Sequence, residues 1–232
     1  MDYESITFHQ DYAESVTKVD DLFHVATQKG GTFTTKVLVL ATGVKDIFPD
    51  IEGFEACWGK SIVHCPYCHG YEIKGSKTGI MANGEKAFHM AGLVHNLTKD
   101  ITLLTQGEPD FSEEQLAKLK GHQINIIDKN ITAFKHEDGQ ISAVIFDDGS
   151  SAEFNAVYGL IPFEQHSKIP VDLGCEFDEW GFIKVDSFQR TTVPNVYACG
   201  DNSTFKRSVA MAVAAGNIVG AAVNMQLIEE SF

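Results

Sequence analysis

Grouped apolar residues over the first forty positions predict short strands. These groups lie at 5–9, 21–28 and 32–40, and Gly30-Gly31 separates the last two. Glycine between two such runs is typical of a tight hairpin turn. The pattern therefore predicts a small antiparallel meander whose last strand is Val37–Leu40.

The middle of the chain alternates between strand and helix patterns. A strand and turn are predicted at 77–84, a helix at 85–97 and a strand at 100–104, which together form a βαβ unit. A second helix is expected at 112–121, where Ser112 is a suitable first residue. Further strands are predicted at 124–127, 131–135, 141–146 and 152–160.

The last segment contains two more strand patterns and then a long helix pattern. Strands are expected at 181–185 and 195–201, and an alanine-rich helix at 208–230. Together with the βαβ unit, this order predicts an α/β fold.

The composition is that of a folded, acidic protein. The 232 residues include 18 Lys and Arg against 32 Asp and Glu, which gives a formal net charge of −14. This charge argues against a nucleic-acid partner, because such binding depends on basic side chains that neutralise phosphates. We expect no apolar run that approaches the roughly 20 residues needed to span a bilayer. The sequence therefore predicts a cytoplasmic protein with no membrane partner.

The cysteines point to redox chemistry. Their number is five and their spacing is irregular, which argues against a secreted disulfide framework. Only Cys65 and Cys68 are close together, in the sequence Cys-Pro-Tyr-Cys. This spacing lets one sulfur attack a substrate disulfide while the other resolves the mixed disulfide. The remaining cysteines are interpreted as small buried hydrophobic residues: Cys57, Cys175 and Cys199.

A zinc site is the alternative interpretation of this segment. Zinc would require a second CxxC or an HxxxH pair, and the sequence has neither. His64, Cys65, Cys68 and His69 are too close in sequence to point at one centre easily. We therefore favour the redox interpretation and assign no metal ligands.

His69 directly follows Cys68 and is the candidate acid–base group. Imidazole titrates near neutral pH, so it can take and return a thiol proton. A structural role is the alternative, and His64 and Glu72 are weaker candidates for proton transfer. Gly70 is expected to let the backbone pass close to a flat cofactor.

The order of these motifs resembles a known family. Ala41-Thr42-Gly43 precedes the CxxC, a strand and turn at Gly84 follow it, and Cys199-Gly200-Asp201 precedes the last helix. This order is similar to that of the low-molecular-weight thioredoxin reductases, which are FAD- and NAD(P)-dependent pyridine nucleotide-disulfide oxidoreductases. The string from Cys65 to Glu72 resembles the branch with His after the second Cys, which includes fungal dithiol oxidases acting on epidithiodiketopiperazines.

The resemblance implies a two-domain flavoprotein disulfide reductase fold. A Rossmann-like nicotinamide domain at 57–166 would carry the CxxC and would be inserted in a partial FAD-binding domain at 1–56 and 167–232. The resemblance also implies a homodimer. Its redox partner would be a thioredoxin-like protein or a small-molecule dithiol or disulfide.

The resemblance also implies roles for individual residues. Cys68 would face the flavin and Cys65 would attack the substrate. Gly200 and Asp201 would bind the ribityl and pyrophosphate groups of FAD, beside the start of the last helix. The other candidate cofactor contacts are Ala41, Thr42, Gly43, Gly84, Arg207 and Ser208.

Two motifs of the family pattern are altered. The GxGxxG turn for the FAD pyrophosphate is not found before Ala41, so we expect a chain lacking about seventy residues of the pattern. Such a chain should bind FAD poorly and expose an apolar edge at Val37–Leu40.

The nicotinamide-binding turn is the second altered motif. In this turn, Ala82 replaces the first glycine, which weakens the close approach of a phosphate to the backbone. Residues 105–108 offer no cation to a 2′-phosphate, so NADPH preference is doubtful and NADH remains an option.

The sequence therefore leaves three functions open. The first is an NAD(P)H-driven thioredoxin reductase, and the second is an oxygen-dependent dithiol oxidase. The third is a truncated, flavin-free remnant or interaction module without activity.

Overall fold

The structure is a computed structural model that describes residues 3–232. Its helices are α1 Phe54–Cys57, α2 Pro66–His69, α3 Gly84–Val94, α4 Glu113–Gly121, α5 Ile169–Asp172 and α6 Val209–Ser231. Its strands are β1 Ala13–Val19, β2 Leu22–Thr27, β3 Thr32–Thr35, β4 Leu38–Leu40, β5 Val44–Asp46, β6 Ile62–Val63, β7 Thr78–Met81, β8 Ile101–Leu104, β9 Asn125–Ile127, β10 Ile131–Glu137, β11 Gln140–Phe146, β12 Ser151–Glu153, β13 Ala156–Gly159, β14 Phe163–Gln165 and β15 Val196–Ala198.

The chain forms two compact units. One unit contains residues up to 45 together with residues 163–232, and the other contains residues 46–162. The second unit is inserted in the first, and its boundaries come earlier than the predicted positions after 56 and 166. The inserted unit carries both Cys65 and Cys68.

A five-stranded parallel sheet forms the centre of the inserted unit. Its strand order is β6-β13-β7-β8-β9, and every pairing in it is parallel. The residues of β7, β8 and β13 are all buried. Strands buried on both faces are typical of a parallel sheet that is covered on each side, as in α/β proteins.

Successive residues of these strands face two different cores. Ile80, Leu103 and Tyr158 pack with the apolar side of α3. Their neighbours along the strands, Met81 and Leu104, pack instead with the antiparallel sheet β10-β11-β12. The period of two expected for strands thus separates a helical layer from a second sheet.

The predicted strand at 152–160 is two strands in the structure. Ser151–Glu153 pairs antiparallel with β11, whereas Ala156–Gly159 lies within the parallel sheet. Between them, the backbone N–H of Asn155 donates to the Lys77 carbonyl at 2.9 Å. The single-strand prediction was wrong because the chain crosses from one sheet to the other within an apolar run.

The other unit has a meander and a parallel strand pair. The meander is β1-β2-β3, so the predicted strand at 5–9 is wrong and the first strand is Ala13–Val19. Ile6 and Phe8 in the predicted strand are exposed and have no strand partner among the described residues. The strand predicted to end the meander, Val37–Leu40, is β4, and it pairs in parallel with β15 rather than with the meander.

No strand corresponds to the prediction at 181–185, where Ile183 makes only an isolated bridge to Phe177.

The last helix, α6, forms where it was predicted, but it is more apolar over its length than the sequence analysis expected. Its 23 residues are long and apolar enough to cross a bilayer by length and composition alone, so the expectation of no such run was wrong. The core helix of a globular protein can pass the same test of length and composition. Val219 and Ala222 are buried against Tyr197 and Cys199, whereas Val213 and Ile228 are exposed.

Candidate functional site

The Cys-Pro-Tyr-Cys segment forms the start of helix α2. Cys65 is the residue before the helix, and Pro66 is its first residue. Proline suits this position because its φ is already helical and no helical carbonyl needs its missing N–H. The backbone N–H groups of Cys68 and His69 donate to the Cys65 carbonyl, at 3.3 and 3.1 Å. The turn therefore holds the two cysteines on one short segment.

The two cysteines are not equivalent. Both are free thiols, with Cys65 half-buried and Cys68 exposed. A hydrogen bond with Cys65, added to partial burial, raises the pKa of Cys68 to about 11. The protonated form of Cys68 is therefore favoured, with Cys65 as its hydrogen-bond partner.

Gly70 is needed for packing inside the inserted unit. A Cβ at this position would collide with the Pro66 carbonyl and with the Leu97 side chain. The close approach made by Gly70 is therefore to Pro66 of α2 and to Leu97. The glycine fixes α2, and with it both thiols, against the segment that follows α3.

The histidines near the pair have different surroundings. His69 is the last residue of α2 and is partly exposed, next to Cys68. His64 stacks on the Trp58 ring, with the centroids 6.1 Å apart. Among residues 3–232, no three His, Cys, Asp or Glu side chains are grouped so as to hold a metal ion.

The turn between β7 and α3 is closed by its own side chains. Asn83 caps α3, with its Oδ1 accepting from the Gly84 N–H at 2.8 Å and from the Asp110 N–H at 2.9 Å. Its Nδ2 donates to the Glu108 carbonyl at 2.8 Å. Gly84 has φ of +59°, and a Cβ there would lie 3.4 Å from Asp110 Oδ2. One of the N–H groups that a phosphate could use at this helix start, that of Gly84, is therefore already bonded.

Acidic groups surround this turn. Glu85 lies in the first turn of α3, and Glu108 and Asp110 belong to the loop that packs against Asn83. Thr105 directs its hydroxyl to the Gly107 carbonyl at 2.7 Å. A 2′-phosphate bound here would meet these negative charges, which weighs against a preference for NADPH.

The candidate FAD residues of the other unit come together at one strand edge. Residues 41–43 follow β4 and residues 199–202 follow β15, and these two strands are parallel neighbours. Carboxyl ends of adjacent parallel strands are where α/β folds bind ligands. Ala41, Thr42, Gly43, Gly200 and Asp201 are thereby adjacent, as the sequence interpretation requires.

Asn202 links these two segments and was missed by the sequence analysis. It is fully buried, and its Nδ2 donates to the Leu40 carbonyl at 2.9 Å and lies 3.4 Å from Thr42 Oγ1. Its Oδ1 is buried without a hydrogen-bond partner among the described residues. Such an orphan acceptor calls for a donor, so the edge fits a polar ligand group such as a flavin hydroxyl. The signal available in the sequence was its position directly after Gly200-Asp201.

Arg207 and Ser208 lie at the start of α6. Ser208 caps the helix, with its Oγ accepting from the Met211 N–H at 3.3 Å. Arg207 Nε lies 3.7 Å from Asp201 Oδ2, and its guanidinium stacks 5.9 Å from the Phe163 ring centre. Arg207 is therefore placed beside the candidate FAD residues, whereas the Ser208 hydroxyl is used within the helix.

Known proteins match both the sequence and this fold. Residues 4–217 match the pyridine nucleotide-disulphide oxidoreductase family. A thioredoxin reductase of Claviceps purpurea is 34% identical over 218 residues, covering 90% of this chain and 68% of the relative. A thioredoxin reductase of Aspergillus oryzae is 28% identical over 235 residues, covering 97% of this chain and 75% of the relative.

A solved structure with a similar sequence has the same fold. The Bacillus anthracis structure assigned as thioredoxin reductase TrxB superposes with a TM-score of 0.92 at 29% identity. The alignment covers 99% of this chain and 78% of that structure. From the family match, the curated relatives and the shared α/β fold, we conclude that this chain belongs to the pyridine nucleotide-disulphide oxidoreductase family and is a thioredoxin reductase-like oxidoreductase.

Proposed function

We propose that this chain is a flavin-linked thiol–disulfide oxidoreductase that works through Cys65 and Cys68. The observation that carries this proposal is the unequal thiol pair on α2. Cys68 retains its proton because of the hydrogen bond to Cys65, so Cys65 is the sulfur available for attack. One attacking and one resolving thiol are what disulfide exchange requires.

The exchange has two balanced steps. In the reducing direction, the Cys65 thiolate attacks a substrate disulfide, forms a mixed disulfide and releases the first substrate thiolate. Cys68 then loses its proton and attacks the Cys65 sulfur, which closes the Cys65–Cys68 disulfide and releases the second thiolate. The substrate gains two electrons and the pair loses two. The reverse sequence oxidises a dithiol.

His69 is the proposed proton carrier for these steps. It adjoins Cys68 on α2 and is partly exposed, so it can exchange protons with water. An imidazole accepts the Cys68 proton during the second step and returns it in the reverse direction.

FAD is the proposed cofactor of the 41–43 and 200–202 edge. Bound FAD would supply the two-electron redox partner of the cysteine pair. Thr42, Asp201 and Asn202 would accept or donate hydrogen bonds to its polar groups, and Arg207 would balance its pyrophosphate charge. We further propose a cytoplasmic homodimer whose substrate is a thioredoxin-like protein or a small-molecule dithiol.

A dithiol oxidase that uses oxygen is the second candidate. The specific observation that favours it is the acidic turn at Asn83 and Asp110, where the Asn83 side chain already accepts from the Gly84 N–H and a dinucleotide phosphate would meet negative charge. In that reaction a dithiol loses two electrons and two protons, and molecular oxygen becomes hydrogen peroxide. The cysteine chemistry on α2 is the same in both candidates.

One assay separates the two candidates. The chain is supplied with FAD and then given either a dithiol in air, or NADPH or NADH with a thioredoxin. Oxygen consumption with the dithiol, lost in Cys65→Ser and Cys68→Ser, supports the oxidase. Oxidation of NADPH or NADH, followed at 340 nm, supports the reductase. No turnover under either condition would contradict both and would leave the inactive remnant.

A further inference from the structure

A cleft lies between helices α3 and α4 of the inserted unit. Its volume is about 400 Å³, which lies within the usual range for sites that bind small molecules. The residues that line it belong to α3, to α4 and to the positions that follow each helix. Helix α2 contributes none of them, so the cleft is separate from the residues proposed for disulfide exchange.

Side chains bridge the two helices at both ends of the cleft. At one end, Gln115 Nε2 donates to Glu85 Oε2 at 2.6 Å. At the other end, the rings of His95 and His122 meet edge to face, with their centroids 4.6 Å apart. Glu85 and His95 are ten positions apart, which corresponds to about 15 Å along a helix. A site of this length has room for two fused six-membered rings.

Gly92 keeps the middle of the cleft open. It lines the cleft from α3, and a Cβ built on it would meet nothing within 4 Å. Neither packing nor a left-handed backbone therefore requires glycine here, although glycine lowers the stability of a helix. Ala91, Leu119 and Ile124 line the same cleft and are buried, so its floor is apolar.

His95 offers a hydrogen-bond donor whose tautomer is defined. Lys99 Nζ lies 3.1 Å from His95 Nδ1. A lysine ammonium group can only donate, so Nδ1 is the acceptor and the neutral ring carries its proton on Nε2. Burial, followed by the neighbouring Lys99 and His122, lowers the pKa of His95, which favours this neutral form.

The fixed charges of the cleft cancel. Glu85 and Lys118 are the Glu and Lys side chains that line it, and they carry opposite charges. Lys118 also lies 2.7 Å from Glu114 on the exposed side of α4. A charged ligand would leave water without meeting a net opposite charge, which costs free energy. An uncharged ligand avoids this cost.

We propose that the cleft between α3 and α4 binds an uncharged, flat aromatic molecule whose rings lie over Gly92 and whose hydrogen-bond acceptor is met by the Nε2–H of His95. A flat ring system fills the space that glycine leaves open and buries its apolar surface against the floor. A ligand that covers the Nε2–H must offer it an acceptor, because a donor that loses water without a new partner is costly. The proposed site is a further binding site and does not depend on thiol exchange.

Coumarin is the probe for this proposal, because it is bicyclic and uncharged and has hydrogen-bond acceptors but no donor. It is titrated into the ¹⁵N-labelled protein without flavin, and the amide resonances are followed by NMR. We expect shifts at residues 84–95 and 113–124, with a Kd of about 0.1–1 mM for a ligand of this size. Coumarin-3-carboxylate has the same rings and a negative charge, and it should bind at least about fivefold more weakly.

Two variants locate the ligand within the cleft. Gly92→Leu fills the open centre and should weaken coumarin binding at least about tenfold. Gly220→Leu is the matched control, because it adds the same side chain to an exposed glycine of α6 with nothing within 4 Å, and it should bind like the parent. His95→Phe keeps a flat ring beside His122 but removes the Nε2–H, so its affinity should fall about three- to tenfold.

The amide spectrum of each variant also shows whether that variant is folded. An absence of shifts in the parent, or shifts that persist unchanged in Gly92→Leu, would overturn the proposed site. Unchanged affinity in His95→Phe would overturn the hydrogen bond from Nε2. Tighter binding of the carboxylate than of coumarin would overturn the assignment of an uncharged ligand.

Discussion

The thiol of Cys68 hydrogen-bonds to the sulfur of Cys65 at the start of helix α2 and thereby holds its own proton. This relationship divides the pair into an attacking sulfur and a resolving one. The thiol that keeps its proton is also the more solvent-exposed of the two, since Cys68 is exposed and Cys65 is half-buried. Reactivity in this pair should therefore follow acidity rather than exposure.

The order of alkylation tests that statement. With a pKa of about 11, Cys68 is about one thousandth thiolate at pH 8, so iodoacetamide should modify Cys65 first. In Cys65→Ala the hydrogen bond is gone, and Cys68 should react at least about tenfold faster than in the wild-type protein. Peptide mapping after brief alkylation gives both rates. A wild-type protein in which Cys68 reacts first would contradict the assignment of roles.

A glycine pair tests the packing that fixes α2. In Gly70→Ala the new Cβ meets the Pro66 carbonyl and Leu97, so unfolding should become easier by about 1–3 kcal/mol. Gly92→Ala is the matched control, because it adds the same methyl group to helix α3 where nothing lies within 4 Å. This control should gain up to about 1 kcal/mol from helix propensity.

Urea unfolding of both glycine variants measures the difference between their free energies of unfolding. The alkylation rate of Cys65 in Gly70→Ala then reports whether α2 has moved. Equal stability of the two variants would show that α2 does not depend on the close contact at Gly70.

Stability should decline at alkaline pH. Burial raises the pKa of the Cys57, Cys175 and Cys199 thiols above their ordinary value of 9.0. The folded protein thus favours the protonated thiols, and this stabilisation is complete below pH 9 and is lost as the pH rises through the folded values. Thermal unfolding between pH 7 and 11 should show a falling midpoint. Cys57→Ala removes one such group and should show a smaller decline, whereas an identical decline would exclude Cys57 as a contributor.

Much of the fold follows from periodicity and turn residues. The strands around Ile80 and Leu103, the helix that starts after Ser112 and the long final helix were all predicted from local pattern. Ser112 caps α4 as expected, in a capping box with Gln115. Local pattern failed where tertiary pairing decides. The run at 152–160 splits because its halves join different sheets, and β4 joins β15 from far along the chain.

The candidate site was partly predictable for the same reason. Cys65, Cys68 and His69 are adjacent in sequence, so their grouping needed no knowledge of the fold. Asn202 could not be found in this way, because its relevance comes from burial and from its hydrogen bond to Leu40, which is far away along the chain. The doubt about a nicotinamide dinucleotide came from missing cations, and the structure adds the Asn83 cap that uses the Gly84 N–H.

The visible absorbance of the protein supplied with FAD tests the central claim most directly. Flavin that remains bound after removal of free FAD should be bleached near 450 nm by a dithiol. The bleaching should be lost in both Cys65→Ser and Cys68→Ser, because each variant lacks one sulfur of the exchange. Bound flavin that a dithiol bleaches equally in the wild-type protein and in both variants would contradict the claim that Cys65 and Cys68 carry the electrons.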